Sequence, residues 1–243
     1  MTSTASKHGL ISRVLSPALQ LWLKSQAEEI EDLHLSIDAG DRQILSGLIP
    51  HVTIQASQAT YQGLHLSQIH LRAKTIHTNL PQVLRRKPLR LLEPILVTGQ
   101  LQITAQQLRD SLSPEGLLSQ GLNEFLRELL KASRADSHGE PDRLLNISTP
   151  QWHTITLGDG QLTLSATWPQ PQNPQANLKI HAGLELIDSH KLRFHPLTLQ
   201  APAGLFPKPL NTLEIDLGTE VTLEQMQISP EKVFCMGQIT VLP

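Results

Sequence analysis

TAQQLRDSLSPEGLLSQGLNEFLRELLK, residues Thr104–Lys131, is the longest stretch of the chain with a helical period, and runs of strand pattern stand on both sides of it. Thr104 and Gln107 have the spacing of a capping box, in which each side chain satisfies the other residue's backbone N–H at a helix start. Leu108, Leu112, Leu118, Leu122, Phe125, Leu126 and Leu129 recur three and four residues apart, so one face is apolar. Only Ser113-Pro114 interrupts the pattern. On the N-terminal side the period is two: Leu33, Leu35 and Ile37 alternate with His34, Ser36 and Asp38. Val52, Ile54 and Ala56, then Leu64 and Leu66, then Ile69, Leu71 and Ala73, and finally Ile95, Val97, Leu101 and Ile103 continue it. The change of parity between Leu66 and Ile69 predicts a β-bulge near Gln68.

On the C-terminal side, residues 132–143 lose all period and read as a loop joining two halves. Ile155 and Leu157 run into the hairpin signal Gly158-Asp159-Gly160, and Leu162, Leu164, Ala166 and Trp168 run out of it. After a Pro/Gln/Asn loop, further alternating sets follow: Leu178 to Leu186, Leu197 and Leu199, Leu213 to Leu217, Val221 and Leu223, Ile239 and Val241. Ahead of everything, Leu10, Ile11, Val14, Leu15, Ala18, Leu19, Leu21 and Trp22 leave a narrow polar stripe of Arg13, Pro17, Gln20 and Lys24, the pattern of an amphipathic helix. Strand runs flanking helices without regular alternation predict an α+β fold with an antiparallel sheet. The division expected is an N-terminal amphipathic helix over 1–31 and a single domain over 32–243.

Composition narrows the function. The chain has 243 residues, 39% hydrophobic and 17% charged, with a formal net charge of −2, so it can build a core and lacks the positive excess that duplex nucleic acid favours. Aromatics at 3% leave few platforms for stacking bases, and no nucleic-acid partner is expected. No nucleophile elbow, phosphate-binding glycine loop or zincin helix is present, so we expect no enzyme and no cofactor. His65, His70 and His77 are near neighbours in sequence, but their spacing suits no standard metal-ligand set. Cys235, the single cysteine, lies between Phe234 and Met236 and reads as a small core residue or an inert thiol. The N-terminus has no secretory pattern and no run long enough to span a bilayer, so the expected location is cytoplasmic or peripheral to a membrane.

Charge is segregated along the chain. Between Arg42 and Leu92 there is no Asp or Glu, while Arg85-Arg86-Lys87-Pro88-Leu89-Arg90 is tightly basic. Such a cluster suits phosphate headgroups, and it also suits a loop that is merely solvated. Leu205 and Phe206 stand among prolines in Ala201–Pro209, which fits either a tip dipping into a membrane interface or a segment folded back over the core.

Leu15-Ser16-Pro17-Ala18-Leu19, Gly47-Leu-Ile-Pro50, Tyr61-Gln-Gly-Leu-His65, Lys87-Pro-Leu-Arg-Leu91 and the Gly218-Thr-Glu-Val221 to Gly237 pattern together resemble the LmeA-type phospholipid-binding proteins of bacteria. The resemblance runs from about Ser16 to Val241. That family is similar in fold to tubular lipid-binding proteins, which implies a strongly curved antiparallel sheet wrapped around a long helix, here Thr104–Lys131. It implies non-enzymatic binding of phospholipid or a related anionic membrane lipid at a membrane surface. Acyl chains would meet Leu118, Leu122, Phe125, Leu126 and Leu129 of the helix and Ile95, Val97, Leu184 and Leu186 of the strands. Headgroup and membrane contacts would fall to Arg85, Arg86, Lys87, Arg90, Leu205 and Phe206. The same leucines would equally make a closed dry core. A scaffold that binds a protein partner through the charge-segregated surface is the alternative function.

Overall fold

A computed structural model describes residues 28–83, 90–134, 145, 148–169 and 175–243. The amphipathic helix expected ahead of Glu28, the basic residues Arg85, Arg86 and Lys87, and most of the joining loop lie outside the described residues.

The first half builds one sheet from β1 (Glu29–Asp38), β2 (Leu48–Tyr61), β3 (Leu64–His77) and β4 (Ile95–Thr104). Two short helices, α1 (Asp41–Ser46) and α2 (Leu80–Val83), interrupt it. The chain then passes through α3 (Ala105–Asp110) and α4 (Leu117–Ser133) into β5 (Gln151–Gly158), β6 (Gln161–Thr167), β7 (Asn177–Asp188), β8 (Lys191–Gln200) and β9 (Leu213–Asp216). It returns with β10 (Val221–Ile228) and β11 (Lys232–Val241), which pair beside β4. The first sheet therefore has the order β1-β2-β3-β4-β11-β10 and the second β5-β6-β7-β8-β9. Every neighbouring pair is antiparallel.

Three expectations are corrected here. The strands form two sheets, neither closed, rather than one sheet wrapped around a helix. The sheets meet where turns of the second pair with the free edge of β10: Leu223 N–H donates to Ser189 O at 2.7 Å and Gly160 N–H to Ile228 O at 3.0 Å. The Thr104–Lys131 helix is broken in two. Thr104 makes its capping box with Gln107, but Ser111 closes α3 and α4 starts afresh after Gly116, because Pro114 has no N–H to continue the ladder. Ser111 holds the corner: its hydroxyl donates to Gln107 O at 2.6 Å and accepts the His65 N–H at 2.9 Å. Lastly, no bulge occurs at Gln68, where pairing with β2 and with β4 runs without a shift. The irregularity sits one strand away, between β1 and β2, where Asp32 and Gln58 have positive φ.

The main core lies between α4 and the second sheet. Leu126, Leu129 and Leu130 of α4 are fully buried, as are Leu164, Trp168, Leu178, Ile180 and Ala182 from the strands. Phe125 meets Phe194 with ring centroids 4.5 Å apart. The helix is also tied by a polar bond, since Trp152 Nε1 donates to Asn123 Oδ1 at 2.9 Å. Replacing Asn123 with alanine leaves that largely buried indole N–H without its acceptor, at a cost of about 1–3 kcal/mol. Thermal denaturation of Asn123→Ala should register the loss, and an unchanged midpoint would show that the bond does not hold α4 to the sheet. A smaller core lies under α1 and α2, where Ile37, Ile44, Ile49, Ala73 and Ile76 are buried against one end of the first sheet.

Candidate functional site

Alternation along β5–β9 sends one set of apolar side chains toward α4, and that helix is too narrow to cover them all. Its stripe at Phe125, Leu126, Leu129 and Leu130 closes the core, while Leu118 and Leu122, on the adjacent stripe with Gly121, pack half-buried at the core's edge and leave a gap beside the strands. The gap is a groove of about 360 Å³. Ile155, Leu162, Leu164, Leu184, Leu192 and Phe194 make its floor, and Ile215 and Leu217 its far side. Polar groups are confined to the α4 rim. Glu124 pairs there with Arg127, and this hydrogen bond holds the Glu124 carboxyl below the usual carboxylate range; Glu128 pairs with Lys131 at 2.9 Å. Gly121 has open space where a side chain would stand, which keeps the groove wide at mid-helix.

A second open apolar surface lies on the first sheet. Leu71, Gly99, Gly237 and Leu223 form one row across β3, β4, β11 and β10; Ala73, Val97, Ile239 and Val221 form the next. Ile69, Leu101, Cys235 and Met226 form the row on the other side. A shallow trough of about 100 Å³ runs over these rows. Gly99 deepens it, because a Cβ there would come within 2.7 Å of Leu71 Cδ2. Leu101 remains 37% exposed and Ile239 45% exposed. Burial pushes the Cys235 thiol up, so it is a poor nucleophile.

The residues expected to contact acyl chains are thus divided. Leu118, Leu122, Phe125 and Leu184 come together in the groove. Leu126 and Leu129 lie behind it in the closed core. Leu186 is half-buried further along β7, and Ile95 and Val97 belong to the first sheet, packed toward the α1–α2 core. Ile155, Leu162, Leu164, Leu192, Phe194, Ile215 and Leu217 supply the other apolar walls of the groove from outside that expected set, although their alternation marks each as facing inward.

Of the expected headgroup contacts, Arg90 is exposed, with Asn79 Oδ1 accepting its backbone N–H at 2.7 Å. The Ala201–Pro209 segment folds back over the end of α4. Arg134 Nη2 donates to Gly204 O at 2.7 Å and Ser133 Oγ to Lys208 O at 3.1 Å. Leu205 is only 5% exposed and joins the main core, and Phe206 packs half-buried beside it. In this structure they are core residues rather than an exposed tip. The histidines each have a different neighbour: His65 Nδ1 is 3.0 Å from Thr60 Oγ1, His77 Nδ1 is 2.7 Å from Glu93 Oε2, and His70 Nε2 accepts from Arg72 Nε. Among the described residues no group of His, Cys, Asp or Glu could hold a metal ion, and no helix is long and apolar enough to cross a membrane.

An open apolar groove beside a helix, on an antiparallel sheet, has the shape and chemistry of a place for a hydrocarbon chain. The family model for LmeA-like phospholipid-binding proteins matches residues 7–238. The chain belongs to the LmeA-like phospholipid-binding family. No curated protein and no solved structure matches it. The part of the chain that the LmeA-like family model matches contains the groove, nearly all of the trough and the strands of both sheets.

Proposed function

We propose that the protein binds phospholipid without chemical turnover, laying an acyl chain in the groove between α4 and the second sheet. The observation that carries this reading is the groove itself: open to solvent, yet with walls of leucine, isoleucine and phenylalanine and polar groups only at the α4 rim. Each methylene moved from water into such a wall is worth about 0.8 kcal/mol. A chain of even moderate length therefore offsets the cost of leaving its previous surroundings. The likeness to tubular lipid-binding proteins fits this reading if α4, lying along the second sheet, takes the part of the long helix. The protein would work peripherally at a membrane surface, with Arg85, Arg86, Lys87 and Arg90 drawing it to anionic headgroups at about 1 kcal/mol each, an attraction that salt weakens.

Purification under mild conditions followed by organic extraction and mass spectrometry tests the reading. We expect phospholipid at close to one molecule per protein. Vesicle co-sedimentation should favour phosphatidylglycerol-rich over neutral liposomes at low salt and lose that preference at high salt. Protein that emerges lipid-free and takes up no phospholipid from vesicles would sink the proposal, and a stoichiometric protein partner in its place would favour a scaffold.

A further inference from the structure

Leu205 and Phe206 lie in the core, and exposed leucines gather instead at one end of the first sheet, where β2 begins, β3 ends, β4 begins and β11 ends. Leu45 in the last turn of α1 is 49% exposed, Leu92 just ahead of β4 is 57% exposed and Leu96 in β4 is 52% exposed. The end of β3 fastens their backbones together. Gly47 O accepts the Thr78 N–H at 2.8 Å, and His77 O accepts the Leu92 N–H at 2.9 Å. Leu96 pairs with Thr240, and Leu242, two residues further on, is exposed as well. Apolar side chains grouped in solvent mark a surface that something covers. We propose that this end is where the protein docks on a membrane, with Leu45, Leu92 and Leu96 entering the interface of an anionic bilayer. The proposal rests on the lipid-binding reading above and goes beyond it by naming the surface that meets the bilayer.

Charge names the partner, because each of the three leucines has a basic neighbour. Arg42 precedes Leu45 by three residues on α1, a spacing that sets them side by side on the helix surface. Arg90 precedes Leu92 by two residues. Lys74 follows Ala73, which pairs with Val97, and so stands beside Leu96. All three basic residues are exposed, and no described carboxylate forms an ion pair with any of them. β2, β3 and β4 contain no Asp or Glu. Of the carboxylates around this end, Glu93 meets His77 Nδ1 at 2.7 Å, Asp41 lies in the first turn of α1, where a helix favours it, and Asp38 ends the edge strand β1. Leucine beside a free basic group suits a membrane interface: the apolar side chain enters the acyl boundary while the charge stays among headgroup phosphates. A second copy meeting this end would set like charges against one another, whereas anionic headgroups neutralise them. The groove also lies toward this end. Its wall residue Leu217 leads into the turn before β10, and Glu220 O of that turn accepts the N–H of Thr240, the partner of Leu96, at 2.8 Å.

Site-specific labels test the docking end in the full-length chain. With Cys235→Ser removing the only native thiol, Leu45→Cys, Leu92→Cys and Leu96→Cys each carry one environment-sensitive dye. Tyr61→Cys, at the exposed tip of the β2–β3 hairpin at the opposite end, is the control. On adding vesicles of phosphatidylglycerol and phosphatidylcholine in equal parts, emission from the three leucine positions should move to the blue and iodide quenching should fall severalfold, while the Tyr61→Cys label stays in water. In a second measurement, Leu45→Asp combined with Leu96→Asp should weaken vesicle binding by about tenfold or more, since each change removes apolar contact and adds a charge that anionic headgroups repel. Tyr61→Asp should leave it unchanged. The labels decide the matter even if the double aspartate variant fails to fold. Leucine labels that stay open to iodide while the protein co-sediments, or a Tyr61→Cys label protected as well as they are, would overturn the proposal. Protection that appears without vesicles as protein concentration rises would overturn it in favour of a second copy. Failure of the groove reading shows in the extracted lipid and failure of the docking end in the labels, so the two are told apart.

Discussion

Leu122→Arg is expected to leave a folded protein carrying less than a tenth of the phospholipid of wild type. Leu122 is a half-buried residue of α4 that lines the groove at the edge of the main core. An arginine there fills space meant for methylenes and brings a guanidinium against an apolar wall. Keeping that charge hydrated denies the acyl chain its contacts, and drying it costs several kcal/mol. Losing the burial of only two methylenes, at about 0.8 kcal/mol each, already exceeds the roughly 1.4 kcal/mol that makes a tenfold change in affinity. Stability should change little, because the arginine stem lies along apolar surface while its head reaches water. Leu122→Met, which keeps the volume and the apolar character, should retain lipid. Extraction and phosphate assay of both variants, with circular dichroism for folding, make the comparison. Wild-type lipid in folded Leu122→Arg would place the acyl chain elsewhere.

Trp168→Ala is expected to cost about 3–5 kcal/mol of stability. Trp168 is 0% exposed at the end of β6, with its indole N–H donating to the Ser148 carbonyl at 2.9 Å and facing the Ser148 hydroxyl at 2.8 Å. Alanine leaves a cavity in the main core and strips that carbonyl of its donor, two penalties that add. In a chain of this length each kcal/mol moves the unfolding midpoint by roughly 2–4 °C, so a fall of about 6–20 °C should appear in thermal denaturation. A fall under about 2 °C would mean that Trp168 is not the anchor between β6 and the segment before β5. Lipid capacity measured well below the lowered midpoint should persist, since Trp168 is not among the residues that line the groove.

The two variants separate what α4 and its sheet do. One stripe of the helix closes the core, and the next lines the open groove. Sequence periodicity shows both stripes as a single apolar face, because a helical wheel records which residues share a side and carries no distance to the neighbour opposite. That is why Leu126 and Leu129 group in sequence with Leu118, Leu122 and Phe125. Ile95 and Val97 group with Leu184 and Leu186 for a related reason: alternation marks an inward face on each strand, and it is silent on which of two sheets that strand joins. Leu205 and Phe206 read in sequence as either tip or cover, and hydrogen bonds from Ser133 and Arg134, some seventy residues earlier, decide between the two.

What the amino-acid order determines by itself is local. The capping box at Thr104, the hairpin at Asp159-Gly160, the alternation of the strands and the interruption at Ser113-Pro114 before α4 all arise from contacts within a few residues, and the structure has each of them. The family, too, is legible, because Gly47, Gly63 and Gly218 of its short motifs sit in turns whose positive φ favours glycine. Only the tertiary structure decides that the strands divide into two sheets, since β10 and β11 cross back to pair beside β4 over more than a hundred residues. It alone decides which apolar faces close into a core and which stay open. Burial depends on how far apart two elements come to rest, and that spacing is set by side chains distant in sequence packing against one another.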